Sequence, residues 1–154
     1  EWDEKKALGW EILKFPQHDS FHKYFGDLNH LINTHPALYQ YDYYPEGFEW
    51  LVVDDKKQSV FAYARYAPDG EVLITVLNFI GNTHNGYRIP VPVEGTYKEI
   101  INTDNDIYTG GNFVNKKAIK SEKIAVLSKE NSISVDIAPF SGMILELKRE
   151  KKKK

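Results

Sequence analysis

Two rhythms of apolar residues divide the chain. Phe21, Tyr24, Phe25, Leu28, Leu31 and Ile32 recur at spacings of three and four, which stacks them on one face of an α-helix, with Asp27, Asn29 and Asn33 largely off it. Asp19 or Ser20 is the expected N-cap, since a short oxygen-bearing side chain accepts from an unpaired first-turn amide. His18 would then precede the helix. Pro36 is placed to open a second short turn, with Ala37, Leu38 and Tyr41 on its apolar side. From Phe48 the period drops to two: Val60, Ala62 and Ala64 oppose Phe61, Tyr63 and Arg65, and Ile133, Val135 and Ile137 alternate with Ser134, Asp136 and Ala138.

The pattern predicts strands over 48–53, 58–66, 71–79, 86–91, 96–102, 121–127, 131–137 and 142–148, broken by turns such as Pro68-Asp69-Gly70 and Ser141-Gly142. Turn chemistry about every ten residues marks an antiparallel β-sandwich or barrel. The run Val72–Phe79 is apolar almost throughout, as in a central strand covered on both faces. Residues 104–120 read as a longer loop holding Gly110-Gly111. Residues 1–17 read as irregular, with Trp2, Trp10 and Phe15 among charges and Pro16 closing the segment. A lone amphipathic helix needs a surface to cover, here shared between the β-rich remainder and a neighbour outside this sequence.

Composition adds boundaries. With 154 residues, 42% of them hydrophobic and 14% aromatic, the chain suits one domain plus an appendage and argues against disorder. The net charge of −2 is uneven: Lys148–Lys154 carry a local +5, which leaves −7 on residues 1–147. An acidic body is a poor nucleic-acid surface, so the basic end reads as a solvated tail rather than a phosphate-binding site. Cysteine is absent, which excludes disulfides and thiolate metal sites. There is no run of about 18 apolar residues to span a membrane. No signal-peptide pattern is present, and the charged, tryptophan-bearing start reads as the interior of a longer protein.

Candidate chemistry is sparse. Acid–base hydrolysis by a carboxyl pair needs the two groups about 5 Å apart, or somewhat farther, around a shaped cleft. The visible acid pairs are Asp54-Asp55, Asp3-Glu4 and Asp104 with Asp106; the first reads as a turn and the last as an Asx-turn, lacking the glycine and glutamate of a calcium loop. His18, His22, His30, His35 and His84 form no zinc motif, so metal ligands and cofactors are expected to be none. A phosphate loop and a serine nucleophile elbow are likewise missing.

The fragments Pro45-Glu46-Gly47-Phe48-Glu49-Trp50, Leu77-Asn78-Phe79, Gly86-Tyr87-Arg88-Ile89 and Ile101-Asn102-Thr103-Asp104 stand in a telling order. That order and spacing resembles the C-terminal part of the 1,4-α-glucan (glycogen) branching enzymes, transferases of the α-amylase clan. Glu1-Trp2-Asp3, Asp27-Leu28-Asn29, Pro36-Ala37-Leu38 and Tyr108 through Asn112 extend the resemblance over essentially the whole chain. Ile80 and Gly9 depart from it, the former where the family often has threonine, the latter where a polar residue is common.

The resemblance implies residues 1–45 as the last loop and helix of a (β/α)8 catalytic barrel, 46–148 as the C-terminal β-sandwich and 149–154 as a basic tail. It implies a cytoplasmic parent enzyme in glycogen biosynthesis, acting on α-glucan, with its catalytic carboxylates upstream of Glu1. The isolated chain is then expected to be inactive, with the barrel as its intramolecular partner and neither nucleic acid nor membrane as others. Trp2, Asp3, Leu8 and Trp10 would border a glucan subsite, and Tyr97 would offer a surface sugar platform. Two other readings stay open: a free-standing carbohydrate-binding module, and the structural domain of another amylase-clan enzyme such as a debranching one.

Overall fold

A computed structural model describes residues 3–148. One α-helix, α1 (Pro16–Thr34), precedes eight strands: β1 (Phe48–Asp55), β2 (Val60–Tyr66), β3 (Val72–Asn78), β4 (His84–Val91), β5 (Thr96–Asn102), β6 (Ile119–Lys120), β7 (Asn131–Ile137) and β8 (Gly142–Lys148). All pair antiparallel, in a six-stranded sheet of order β1-β2-β3-β8-β5-β6 and a two-stranded sheet of β4 and β7. The chain is mainly β, a sandwich, as the alternation predicts.

The period of two explains where the core lies. Val60, Ala62 and Ala64 of β2, Ile74 and Val76 of β3, and Met143 and Leu145 of β8 face Ile89, Val91, Ile133, Val135 and Ile137 of the small sheet. The opposite side of β3 is also covered, because Leu73 packs with Ala67 and with Ala37 from the 3₁₀ turn Pro36–Leu38. Burial on both sides is why β3 reads as an almost unbroken apolar run. At the sheet's end, β1 carries register irregularities between Trp50 and Val52 and between Val52 and Asp55.

Three details differ from the sequence reading. α1 begins at Pro16 with Phe15 at the N-cap and no side-chain cap bond, because proline supplies a preset φ and has no amide to leave unpaired. Ser20 lies inside the helix, donating to the Gln17 carbonyl, and His18 is helical rather than preceding it. The strand expected over 121–127 does not form. Strand β6 is just Ile119–Lys120, and the chain then turns, with Leu127 at φ +51° and Val126 bridged to Lys129. The segment expected to be irregular at 1–17 contains a 3₁₀ turn at Trp10–Lys14.

Candidate functional site

Helix α1 meets the β-domain along one flank. Tyr108 donates to Asp27 Oδ2 at 2.6 Å, the Ser20 and Thr109 hydroxyls approach to 3.3 Å, and the Tyr24 and Tyr108 rings meet edge-on at 5.1 Å. Leu31 completes this buried flank. The neighbouring stripe, Phe21, Phe25 and Ile32, is the most apolar part of the helix and is solvent-exposed. The segment before it continues the exposure, with Leu8 at 71%, Trp10 at 60%, and Ile12 and Phe15 also open. Solvent normally meets scattered apolar residues, whereas a contiguous run of this kind marks an interaction face.

The residues singled out from sequence are not gathered into one site. Leu8 and Trp10 lie on the exposed N-terminal segment, the latter with its ring edge-on to His22 at 6.3 Å. Asp3 closes a local turn, accepting from the Lys5 amide and pairing with Lys6 at 3.3 Å. Trp2 lies outside the described residues. The surface role expected for Tyr97 is corrected: its ring is fully buried (0% exposed) in the sandwich core, and its hydroxyl donates to the Val93 carbonyl at 2.7 Å. No sugar can stack on it.

Sequence reasoning passed over a better platform. Phe48 and Trp50 of β1 and Tyr63 of β2 share the outer face of the large sheet, with ring centroids 5.1–5.9 Å apart. Trp50 is 52% exposed, so its indole offers a broad apolar surface at a sheet edge. The signal was present: residues two apart on a strand share a face, so Phe48 and Trp50 had to point together.

The other motif residues tie loops down. Asn78, almost fully buried, donates to the Asn82 and Ala138 carbonyls and accepts from the Ile80 amide. Asn102 Oδ1 accepts from the Asp104 amide, and Asp104 accepts in turn from the amides of Gly111 and Phe113. Gly110 is required there, since a Cβ would stand 2.3 Å from the Asp104 backbone. Asn105 caps the 3₁₀ turn Asp106–Tyr108, as expected of an Asx-turn. Asp55 accepts from Gln58 and, at 2.6 Å, from Tyr87.

Electrostatics agree with a structural role. Tyr87's hydrogen bond holds the Asp55 carboxyl below its ordinary value. Burial pushes Glu49 up, but hydrogen bonds from Lys129 and Tyr66 outweigh it and leave the group lowered. Burial raises Tyr66, Tyr87 and Tyr108, helped by their carboxylate partners, and pushes Tyr97 up to about 12. Every shift favours the protonation state already present at neutral pH, whereas a general acid or base needs a value near the working pH.

Residues 50–148 match the family described as Alpha amylase, C-terminal all-beta domain. The chain is 39% identical over 148 residues to the 1,4-alpha-glucan branching enzyme GlgB of Nitrosococcus oceani, covering 96% of this chain and 20% of that protein. It is 38% identical over 149 residues to the enzyme of the same name from Photobacterium profundum, covering 97% and 21%, and 35% identical over 146 residues to that of Pseudomonas putida, covering 95% and 20%. The chain thus spans about a fifth of the length of the curated relatives it matches.

Proposed function

The chain belongs to the family of α-amylase C-terminal all-β domains, and from that premise we propose that it is the C-terminal part of a 1,4-α-glucan branching transferase. In this reading residues 1–45 close a catalytic barrel and residues 46–148 form the accessory sandwich, while the basic tail expected at 149–154 lies outside the described residues. The parent would act in the cytoplasm, cutting an α-1,4 linkage and passing the glucan segment to a 6-hydroxyl. This piece stabilises the barrel and guides glucan; it supplies no catalytic carboxylate.

One observation carries the reading. Large apolar side chains from Leu8 through Ile32, on α1 and on the segment before it, stay open to solvent beside the flank on which Ser20 and Asp27 bond to the sandwich. A helix whose burial is complete within its own domain turns its apolar side inward. This one leaves Phe21, Phe25 and Ile32 more than half exposed, as a helix at a junction with a second body would. Burying such side chains is worth roughly 1.5–3 kcal/mol each, enough for the stripe to anchor a barrel. Leu8 and Trp10 remain the proposed rim of a glucan subsite, with Asp3 and Trp2 beside them in sequence.

The outer cluster of Phe48, Trp50 and Tyr63 favours a direct glucan contact as well. Two experiments test the reading. The purified chain should leave the iodine stain of amylose unchanged while the parent enzyme bleaches it; bleaching by the chain alone would refute the placement of the active site. In the parent, Trp50→Ala should retard less than wild type in amylopectin affinity gels at an unchanged Tm, and equal retardation would remove the platform from the proposal.

A further inference from the structure

Where the turn after α1 meets the outer face of the large sheet, three metal-ligand side chains converge. His35 (at the C-terminus of α1), Glu71 (just before β3) and Glu146 of β8 each offer one donor atom, all within 4.8 Å of one another. His35 Nδ1 lies 2.7 Å from Glu71 Oε1, and the Ala37 amide donates to Glu71 Oε2 at 2.8 Å. Glu71 is only 9% exposed, and its carboxylate is therefore oriented from two sides before any ligand arrives. Glu146 is half-buried, and no hydrogen bond or ion pair engages its carboxylate among the described residues.

An imidazole and two carboxylates share a partly buried site, where a cation would replace the hydration that burial removes from the carboxylates. The cations in the same cross-strand row are spoken for or set apart. Arg65 of β2 is bound to the Ala37 carbonyl and to Asp42, and Lys98 of β5 stands opposite Glu146 in register without an ion pair to it. A glycosidase-like acid pair does not fit, because Glu71 is buried with both oxygens occupied.

We propose that His35, Glu71 and Glu146 form a binding site for a divalent cation of the zinc class, which staples the end of α1 to strands β3 and β8. An imidazole with two carboxylates suits zinc and its transition-metal neighbours and disfavours calcium, which takes oxygen donors. Donors on one zinc ion lie at most about 4 Å apart, given bonds of roughly 2.0–2.2 Å. Closing the cluster therefore takes a side-chain adjustment of about 1 Å or less, which the unengaged Glu146 can supply. The metal takes the place of the hydrogen bond between His35 Nδ1 and Glu71 Oε1, and the displaced proton leaves to solvent. The Ala37 amide serves as the outer partner that fixes a ligating carboxylate.

The test is calorimetric titration of zinc chloride into the chelator-stripped chain, paired with thermal melts. The expected result is one saturable equivalent and a raised Tm. His35→Ala and Glu146→Gln should each weaken binding by about tenfold or more, and Glu146→Gln keeps the fold intact because that carboxylate bonds to nothing. His18 and His22 lie one helical turn apart on exposed α1 and are the internal rival. His22→Ala should leave the titration unchanged. Unsaturable heat, wild-type affinity in Glu146→Gln, or loss of binding in His22→Ala would each overturn the site. The outcome is independent of any glucan activity.

Discussion

At the scale of single residues, the side chains that identify the family mostly hold backbone in place. Asn78 ties the β3–β4 turn to the turn after β7, so Asn78→Leu, though close in size, strands the Asn82 carbonyl and the Ile80 amide, while the Ala138 carbonyl keeps the Ser141 hydroxyl. The expected loss is about 1–3 kcal/mol in urea denaturation; an unchanged midpoint would mean that water replaces the amide. Gly47 is a second such point, since a Cβ there would stand 2.2 Å from the Tyr41 carbonyl oxygen. Gly47→Ala should cost about 1–3 kcal/mol of overpacking, read in the same assay. These roles were invisible in the sequence because hydrogen-bond partners lie across turns and strands: Tyr108 and Asp27 are 81 positions apart. Tyr97 was misread for a related reason. A tyrosine on an alternating strand points inward or outward according to register, and the β-bulge between Glu99 and Ile101 shows how easily register shifts in β5.

At the scale of elements, period was the legible quantity and chain ends were not. The helix repeat from Phe21 to Ile32 and seven of the eight strands follow directly from spacing. The start of α1 at Pro16 carries no capping oxygen to signal it, because proline removes the amide that such an oxygen would satisfy. The 121–127 strand failed because the segment pairs only through isolated bridges at Glu122 and Val126, turns at Leu127, and leaves Ile124 and Leu127 exposed. Where α1 would dock could be read in part: Tyr24 and Leu31 of the apolar repeat lie on the docking flank, but Ser20 and Asp27, which bond there, are polar and gave no signal. The Tyr108–Asp27 bond is the testable part of that contact. Tyr108→Phe should raise amide hydrogen-exchange rates in α1 around Asp27 while the β3–β8 pair stays protected; uniform acceleration would mean that helix and sandwich unfold together.

For the whole molecule, the shifted groups set the pH range of stability. Glu49 and Asp55 have folded values below the ordinary 4.5 and 3.8, so their contribution is present above that range and lost as the pH falls through the lowered values. The buried tyrosines shift the other way. Tyr97 rises from 10.0 to about 12, so its contribution is complete below 10 and disappears between 10 and 12. A plot of Tm against pH should therefore hold level through neutrality and fall at both ends, the alkaline fall coinciding with phenolate absorbance. Phenolate appearing well below pH 10 at constant Tm would contradict the burial of these rings.

The irregular β1 edge has a further consequence for how the chain associates with itself. Two interruptions in its register turn the exposed amides and carbonyls out of line, so an incoming strand finds no continuous template there. Clustering of the free chain at high concentration would then proceed through the greasy side of α1, giving amorphous, thioflavin-negative particles that a mild detergent disperses.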